Sequence, residues 1–255
     1  MIALPSKVKY KKVRPYEKLS VYYDEIIAPD YNEFVKFFLK MKQDFYLDFS
    51  SVLDIGCGNG TLTQLLQSKT KGKFWGIDIS TEMIRSCYER YPDIQFLKKN
   101  ILFFHPQTQF AFIYFLNSGV NYFLSFGKFK KLINKVYKIL KPGGSFYFDM
   151  SSEKNYIENY VNVVDSDIIG NMEYLIESTY NSKTGRGEVL FRFRESSKQK
   201  EEFFLEKHKI QIFDFSLVLN YLRSLFKTVE IFYDFGESKS EKVAYNFSFL
   251  CRKSI

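Results

Sequence analysis

The chain is 255 residues long, 45% hydrophobic and 26% charged, with a formal net charge of +8. This excludes a disordered, low-hydrophobicity polymer and leaves room for one large domain or a domain with a sizeable insertion. Three widely spaced cysteines (Cys57, Cys87, Cys251) without a CxxC pair, and only two histidines, give no basis for a disulfide framework or a metal cluster, so no metal is expected.

In chain order, the first feature is a basic arm over residues 1–15, where Lys7, Lys9, Lys11, Lys12 and Arg14 meet no acid before position 16. Such an arm is either solvated or binds phosphates. No apolar stretch of secretory type follows those charges, and the longest apolar run, residues 110–116, is far too short to cross a bilayer. A cytoplasmic protein without a membrane partner is expected. Apolar spacing then predicts helices over 16–28, stopped by Pro29, and over 31–42.

A short apolar strand over 51–55 runs into the turn Gly56-Cys57-Gly58-Asn59-Gly60 and a helix over 61–68. The alternation continues with strand 73–78, helix 81–91, strands 95–98 and 110–116, helix 128–140 and strand 145–150, with Lys141-Pro142-Gly143-Gly144 ending a helix and turning into the next strand. This predicts an α/β fold, Rossmann-like, with a mostly parallel sheet and helices on both faces. From Met172 the period changes to two over 174–180, 188–194 and 202–213, with turn formers across 181–187. That predicts an antiparallel β-meander inserted as a lid over about 170–213. A helix over 215–225 and strands over 228–233 and 244–251 complete a seven-stranded sheet within a domain spanning 16–255.

The glycine-rich loop lies at the carboxyl end of the first strand, where open α/β sheets bind ligands, and the helix after it offers free N–H groups to an anion. Asp54, just before the glycines, would repel a pyrophosphate and suits a ligand with an ammonium and a sulfonium. The spacing also departs from GxGxxG, since Thr61 stands at the third Gly position. S-adenosylmethionine carries both cations, and its carboxylate suits the backbone N–H groups. Asp78 ends the second strand 18 residues past Gly60, placed to accept from two ribose hydroxyls. Ile79 and Met83 are placed to sandwich an adenine, although helix–sheet packing explains Met83 equally well.

Asp54 to Gly60, Ile77-Asp78-Ile79-Ser80 with Met83, and Leu140-Lys141-Pro142-Gly143-Gly144 together resemble class I S-adenosylmethionine-dependent methyltransferases, in the family's order and at its spacing. The similarity covers about residues 16–255, because Tyr16, Tyr22-Tyr23-Asp24 and Asn121-Tyr122 resemble the small-molecule branch that carries a β-meander over its active site. The resemblance implies an enzyme that leaves S-adenosylhomocysteine as product. It places Tyr16, Tyr23, Asp54, Gly56, Cys57, Gly58, Gly60, Asp78, Ile79, Met83, Asn100, Ile101 and Leu116 at the cofactor. Asn100 and Ile101 would read the adenine edge and Leu116 would lie beside the methionine moiety. Two positions depart from the family: Asn100 and Ala111 stand where it commonly has Asp. The Asn100 carbonyl can still accept from the adenine amino group.

Methyl transfer from a sulfonium is an in-line displacement, so alignment and desolvation suffice unless the acceptor must lose a proton. His208, within Glu206-x-His208 on the last inserted strand, is the candidate base, because alternation puts the carboxylate and the imidazole on one face. An exposed polar strand face is the competing reading. Tyr122 is the candidate catalytic residue on the substrate side, and Tyr16, Tyr23 and Tyr122 could orient a cationic donor with their π faces. His105, in a loop beside Pro106, reads as structural or solvated. The expected partner is a small-molecule acceptor, methylated on N or O. The alternatives are an RNA methyltransferase using the basic arm and a catalytically silent cofactor-binding regulator. Against RNA, the sequence has no Asn-Pro-Pro-Tyr motif, no Pro-Cys nucleophile and no appended RNA-binding module.

Overall fold

The computed structural model describes residues 4, 8–27, 29–161, 163–197 and 200–255. The strands are β1 (Lys11–Val13), β2 (Ser51–Ile55), β3 (Lys73–Asp78), β4 (Gln95–Lys98), β5 (Phe110–Phe115), β6 (Leu140–Ser151), β7 (Val164–Ile169), β8 (Met172–Asn181), β9 (Arg186–Ser196), β10 (Glu201–Gln211), β11 (Thr228–Tyr233) and β12 (Asn246–Arg252). The helices are α1 (Tyr23–Ile26), α2 (Tyr31–Asp44), α3 (Thr61–Thr70), α4 (Thr81–Arg90), α5 (Phe126–Ile139), α6 (Glu153–Asn159) and α7 (Phe215–Leu225).

Seven strands form a sheet in the order β11-β12-β6-β5-β2-β3-β4, parallel throughout except that β12 runs antiparallel to both its neighbours. The pleat sorts side chains to opposite faces. Leu53, Ile113, Phe115, Phe146 and Phe148 pack with residues of α5 and α7, whereas Val52, Phe112, Tyr114 and Tyr147 pack with α2 and α3. A sheet covered on both faces explains why β5 is apolar at every position. The Rossmann-like α/β expectation holds.

Helix starts follow local chemistry. Asp30, Ser80, Ser125, Ser152 and Asp214 each accept a backbone N–H in the first turn of α2, α4, α5, α6 and α7. The start of α3 differs: Gly60 stands at its N-cap in the left-handed region, with no side-chain cap. Asn59 Oδ1 takes the Thr61 N–H at 3.1 Å, and the rest of this helix N-terminus, at the glycine-rich loop, has no side-chain cap.

The second sheet has the order β1-β10-β9-β8-β7. It begins at Val164, before the Met172 at which the period-two pattern starts, and α6 precedes it. It also takes in β1, paired parallel to Phe204–Glu206 of β10. The backbone of the basic arm is therefore partly an edge strand rather than a solvated tail, while Lys11 and Lys12 keep exposed side chains. Lys7 lies outside the described residues.

Residues 16–27 do not form the continuous helix that the spacing predicts. They form a 3-10 turn (Leu19–Tyr22) followed by the single turn α1, and Ala28 lies outside the described residues. The cause is tertiary: Tyr16 adopts a φ of 63°, and the N–H groups of Tyr16, Lys18 and Leu19 are all captured by the Glu206 carboxylate of β10. The segment becomes a strap between the two sheets, with Leu19, Tyr16, Tyr22 and Tyr23 packed against Phe191, Phe193 and Phe204 of the lid.

Candidate active site

Gly56 and Cys57 both donate backbone N–H bonds to the Ile77 carbonyl, at 2.7 and 3.1 Å, which folds the loop across the end of β3. Gly58 has a φ of 53°, and a Cβ built there would meet nothing within 4 Å, so this corner of the loop faces open space. Gly60 is the reverse: a Cβ would lie 2.7 Å from Phe96 Cζ, so this glycine serves close packing against β4. Cys57 and Cys87 belong to the same packing, with the Cys87 thiol donating to the Gly58 carbonyl at 3.0 Å. Burial pushes the Cys57 thiol well up, which makes it a poor nucleophile.

The Asp78 carboxylate accepts from Gly58 N (3.1 Å) and Ser80 N (2.8 Å), one bond to each oxygen. Each oxygen keeps lone pairs for further donors, as a pair of ribose hydroxyls requires. Burial pushes the Asp78 carboxyl up from its usual range. Asp54 is buried on the α3 side of β2, where Thr63 and Tyr114 donate to one oxygen at 2.6 and 2.8 Å. Desolvation raises it to about 7, the two hydroxyls offsetting only part of that cost.

The structure separates the residues predicted to hold adenine. Ile79 is 64% exposed beside Asp78, whereas Met83 is 2% exposed and packed inside. Ile101 is buried, and Leu116 is buried at the end of β5. Asn100 is exposed, but its side-chain carbonyl already accepts from Leu102 N at 2.9 Å, capping the 3-10 turn Ile101–Phe103. The amide NH2 is thus the freer end, suited to an adenine ring nitrogen rather than to its amino group. Ala111 lies buried with its N–H donated to Ser51 Oγ at 3.0 Å, a bond internal to the sheet.

Opposite the loop, Tyr16, Tyr122, His208 and Glu206 stand in a row. Tyr16 and Tyr122 share a hydroxyl–hydroxyl bond of 2.8 Å, Tyr122 reaches His208 Nδ1 at 2.8 Å, and His208 Nε2 meets Glu206 at 3.2 Å. The imidazole is 1% exposed and Glu206 is fully buried, so the polar-surface reading of that strand face is wrong. Both ring nitrogens of His208 are engaged, and Tyr122 is the group that joins it to the rest of the row. Burial raises both phenols well above their usual range, and Tyr23, beside Asn117, is pushed up to about 12. His105 is exposed, 3.3 Å from Lys135 Nζ.

Sequence reasoning named Asp24 and Asn121 without giving either a role, and it passed over Asp149. Asp24 accepts from Asn59 Nδ2 (2.6 Å) and Tyr31 OH (2.8 Å), tying the strap to the glycine-rich loop. Asn121 donates to the Gln211 carbonyl (2.7 Å) and accepts from Ser151 N (3.1 Å), joining the lid to the end of β6. Asp149 anchors Ser118 N at 2.9 Å, in a turn where Asn117 and Ser118 both have positive φ, and burial lifts its carboxyl to about 7. A lone acid in the apolar run of β6 was the available signal for Asp149. Two clefts of about 430 Å³ lie outside this chamber, around Ile212–Asp214, and touch none of its loops.

Among the described residues, no group of His, Cys, Asp and Glu could hold a metal ion, and no helix is long and apolar enough to cross a membrane. Residues 52–144 match the methyltransferase domain family. A trans-aconitate 2-methyltransferase from Paracidovorax citrulli is 32% identical over 107 residues, covering 41% of this chain and only 40% of that protein. The solved structure of an S-adenosylmethionine-dependent methyltransferase from Clostridium acetobutylicum has a TM-score of 0.80 at 21% identity, over 94% of this chain and 99% of that one. The sugar N-methyltransferase KedS8 from a Streptoalloteichus species has a TM-score of 0.76 at 14% identity, over 99% and 100% of the two chains.

Proposed function

We infer that this chain, a class I methyltransferase by its domain match and its fold, transfers a methyl group from S-adenosylmethionine to a nitrogen or oxygen of a small molecule. One observation carries the reading: the open Gly58 corner and the Asp78 carboxylate lie at the carboxyl ends of β2 and β3, with Tyr16 of the strap bridging from Ser80 (3.5 Å) to Tyr122 (2.8 Å) under the lid. A nucleoside held by Asp78 would end against those phenols.

The residues present fit that cofactor. Asp78 would accept from the ribose hydroxyls, the N–H groups at the start of α3 beyond Thr61 would receive the carboxylate, and Asp54, deprotonated beside a bound cation, would supply negative charge beneath the loop. Ile79 offers an apolar surface to the adenine. Bound there, the sulfonium supplies a methyl group already activated for in-line displacement. The lid and strap exclude water from the reacting atoms.

Relatives named for a small carboxylate and for a sugar amine support a small-molecule acceptor. The engagement of Lys11–Val13 in the lid sheet favours this over an RNA-binding arm. Purified protein is expected to bind S-adenosylmethionine in calorimetry and to consume it with a member of a panel of amines, phenols and carboxylates, with S-adenosylhomocysteine read by mass spectrometry. Binding without turnover across the panel would move the reading to a silent regulator. Methylation of transcripts, lost on deleting residues 1–14, would move it to RNA.

A further inference from the structure

The row from Glu206 to Tyr16 has a direction that its buried end sets. Glu206 takes N–H donors from Tyr16 (2.9 Å), Lys18 and Leu19 (2.8 Å), as well as His208 Nε2 (3.2 Å). Four donors converging on one group call for a carboxylate, which only accepts, so Nε2 carries the imidazole hydrogen. A neutral imidazole protonated at Nε2 presents a bare Nδ1, and Tyr122 therefore donates to it (2.8 Å). The Tyr122 oxygen then accepts from the Tyr16 hydroxyl (2.8 Å), and the Tyr16 oxygen keeps a lone pair at the end of the row away from Glu206.

We propose that this row is a proton relay with Tyr16 as its entrance, which assigns Tyr16 to proton transfer and not to cofactor binding. The inference rests on the methyltransferase reading. As the new bond to the methyl carbon forms, the carbon–sulfur bond breaks with its electron pair left on sulfur, and the acceptor's X–H proton passes to the Tyr16 oxygen. Tyr16 hands its own proton to Tyr122, and Tyr122 hands its own to His208 Nδ1. The imidazolium so formed is held by the Glu206 carboxylate, so each X–H proton lost is accounted for. Tyr16 is the catalytic residue here; His208 and Glu206 act through it.

The same carboxylate holds the three strap amides, so the relay exists only while the strap is docked. The groups facing it are Tyr23 from α1, Asp78 at the end of β3, Tyr156 from α6 and Phe191 from β9. Among the described residues, neither Glu206 nor His208 pairs with a Lys or Arg; the contact between them is the Nε2 hydrogen bond.

The chain has two histidines, so His105→Gln leaves a single imidazole for nitrogen-15 NMR. The expected result is the Nε2–H tautomer, with an Nδ1 resonance that moves in Tyr122→Phe. An Nδ1–H tautomer would break the row at Tyr122 and overturn the proposal. In calorimetry with S-adenosylhomocysteine as the probe, Tyr16→Phe is expected to bind within about three-fold of wild type. A larger loss returns Tyr16 to the cofactor site and overturns the relay. With any amine or phenol consumed from the panel above, Tyr16→Phe is expected to lower kcat by roughly 100-fold with KM little changed; an unchanged kcat also overturns it. The first two readouts need no acceptor, so finding none would count against the methyltransferase reading separately.

Discussion

Replacing Asp54 with Asn is expected to stabilise the ligand-free protein, and to do so more strongly as the pH rises. Burial lifts this carboxyl from 3.8 to about 7, with only Thr63 and Tyr114 donating to it. A carboxyl raised in the folded state favours folding most below its unfolded value, and that advantage is lost as the pH climbs through the folded value. A shift of about three units corresponds to a burial penalty of about 4 kcal/mol above pH 8, but only about 2 kcal/mol at pH 5, where the folded group is still protonated. An Asn accepts from the same two hydroxyls and carries no charge, so its stability advantage should be about 2 to 3 kcal/mol greater at pH 8.5 than at pH 5. Urea unfolding followed through the single tryptophan, Trp75, measures this at both pH values. A difference between variant and wild type that stays flat across that range would refute the claim that Asp54 is desolvated without a compensating cation.

The remaining predictions concern the loop. Asp78→Ala removes the acceptor for both Gly58 N and Ser80 N, and should weaken S-adenosylmethionine binding by about ten-fold or more in calorimetry; unchanged affinity would remove Asp78 from the ribose. Gly60→Ala forces a Cβ to 2.7 Å from Phe96 and 3.0 Å from Cys87 Sγ at a positive φ, and should destabilise the fold by about 2 to 4 kcal/mol in urea unfolding. Gly58→Ala meets nothing within 4 Å, so it should cost only about 1 to 2 kcal/mol of backbone strain while lowering cofactor affinity. A larger stability loss at Gly58 than at Gly60 would reverse the assignment of the two glycines.

Much of the fold was legible because its signals are short-range. Strand, glycine turn and helix follow one another between Ser51 and Thr70, and Ser80 caps α4 from the adjacent residue. Other features were not legible because their causes lie far along the chain. The periodicity of residues 16–28 is helical, yet Tyr16 takes a φ of 63° and the Glu206 carboxylate, 190 positions from it, holds the amides of Tyr16, Lys18 and Leu19, so contacts distant in sequence set the course of the strap. The edge strand β1 likewise has no pattern of its own and exists because β10 offers it a free edge.

The candidate site divides along the same line. Sequence alone singled out candidate residues by position: Asp54 before the glycines, Asp78 at the next strand end, and His208 two residues from Glu206. Those are matters of spacing, which strand and loop geometry translate directly into position. Only the tertiary structure decided their states. It buried His208 behind Tyr122, turned the Asn100 carbonyl inward onto Leu102 N, sent Met83 into the interior and left Ile79 exposed. Burial and hydrogen-bond partnership are set by what packs above a residue, and here that cover comes from the strap and the lid, which meet only when the chain is folded.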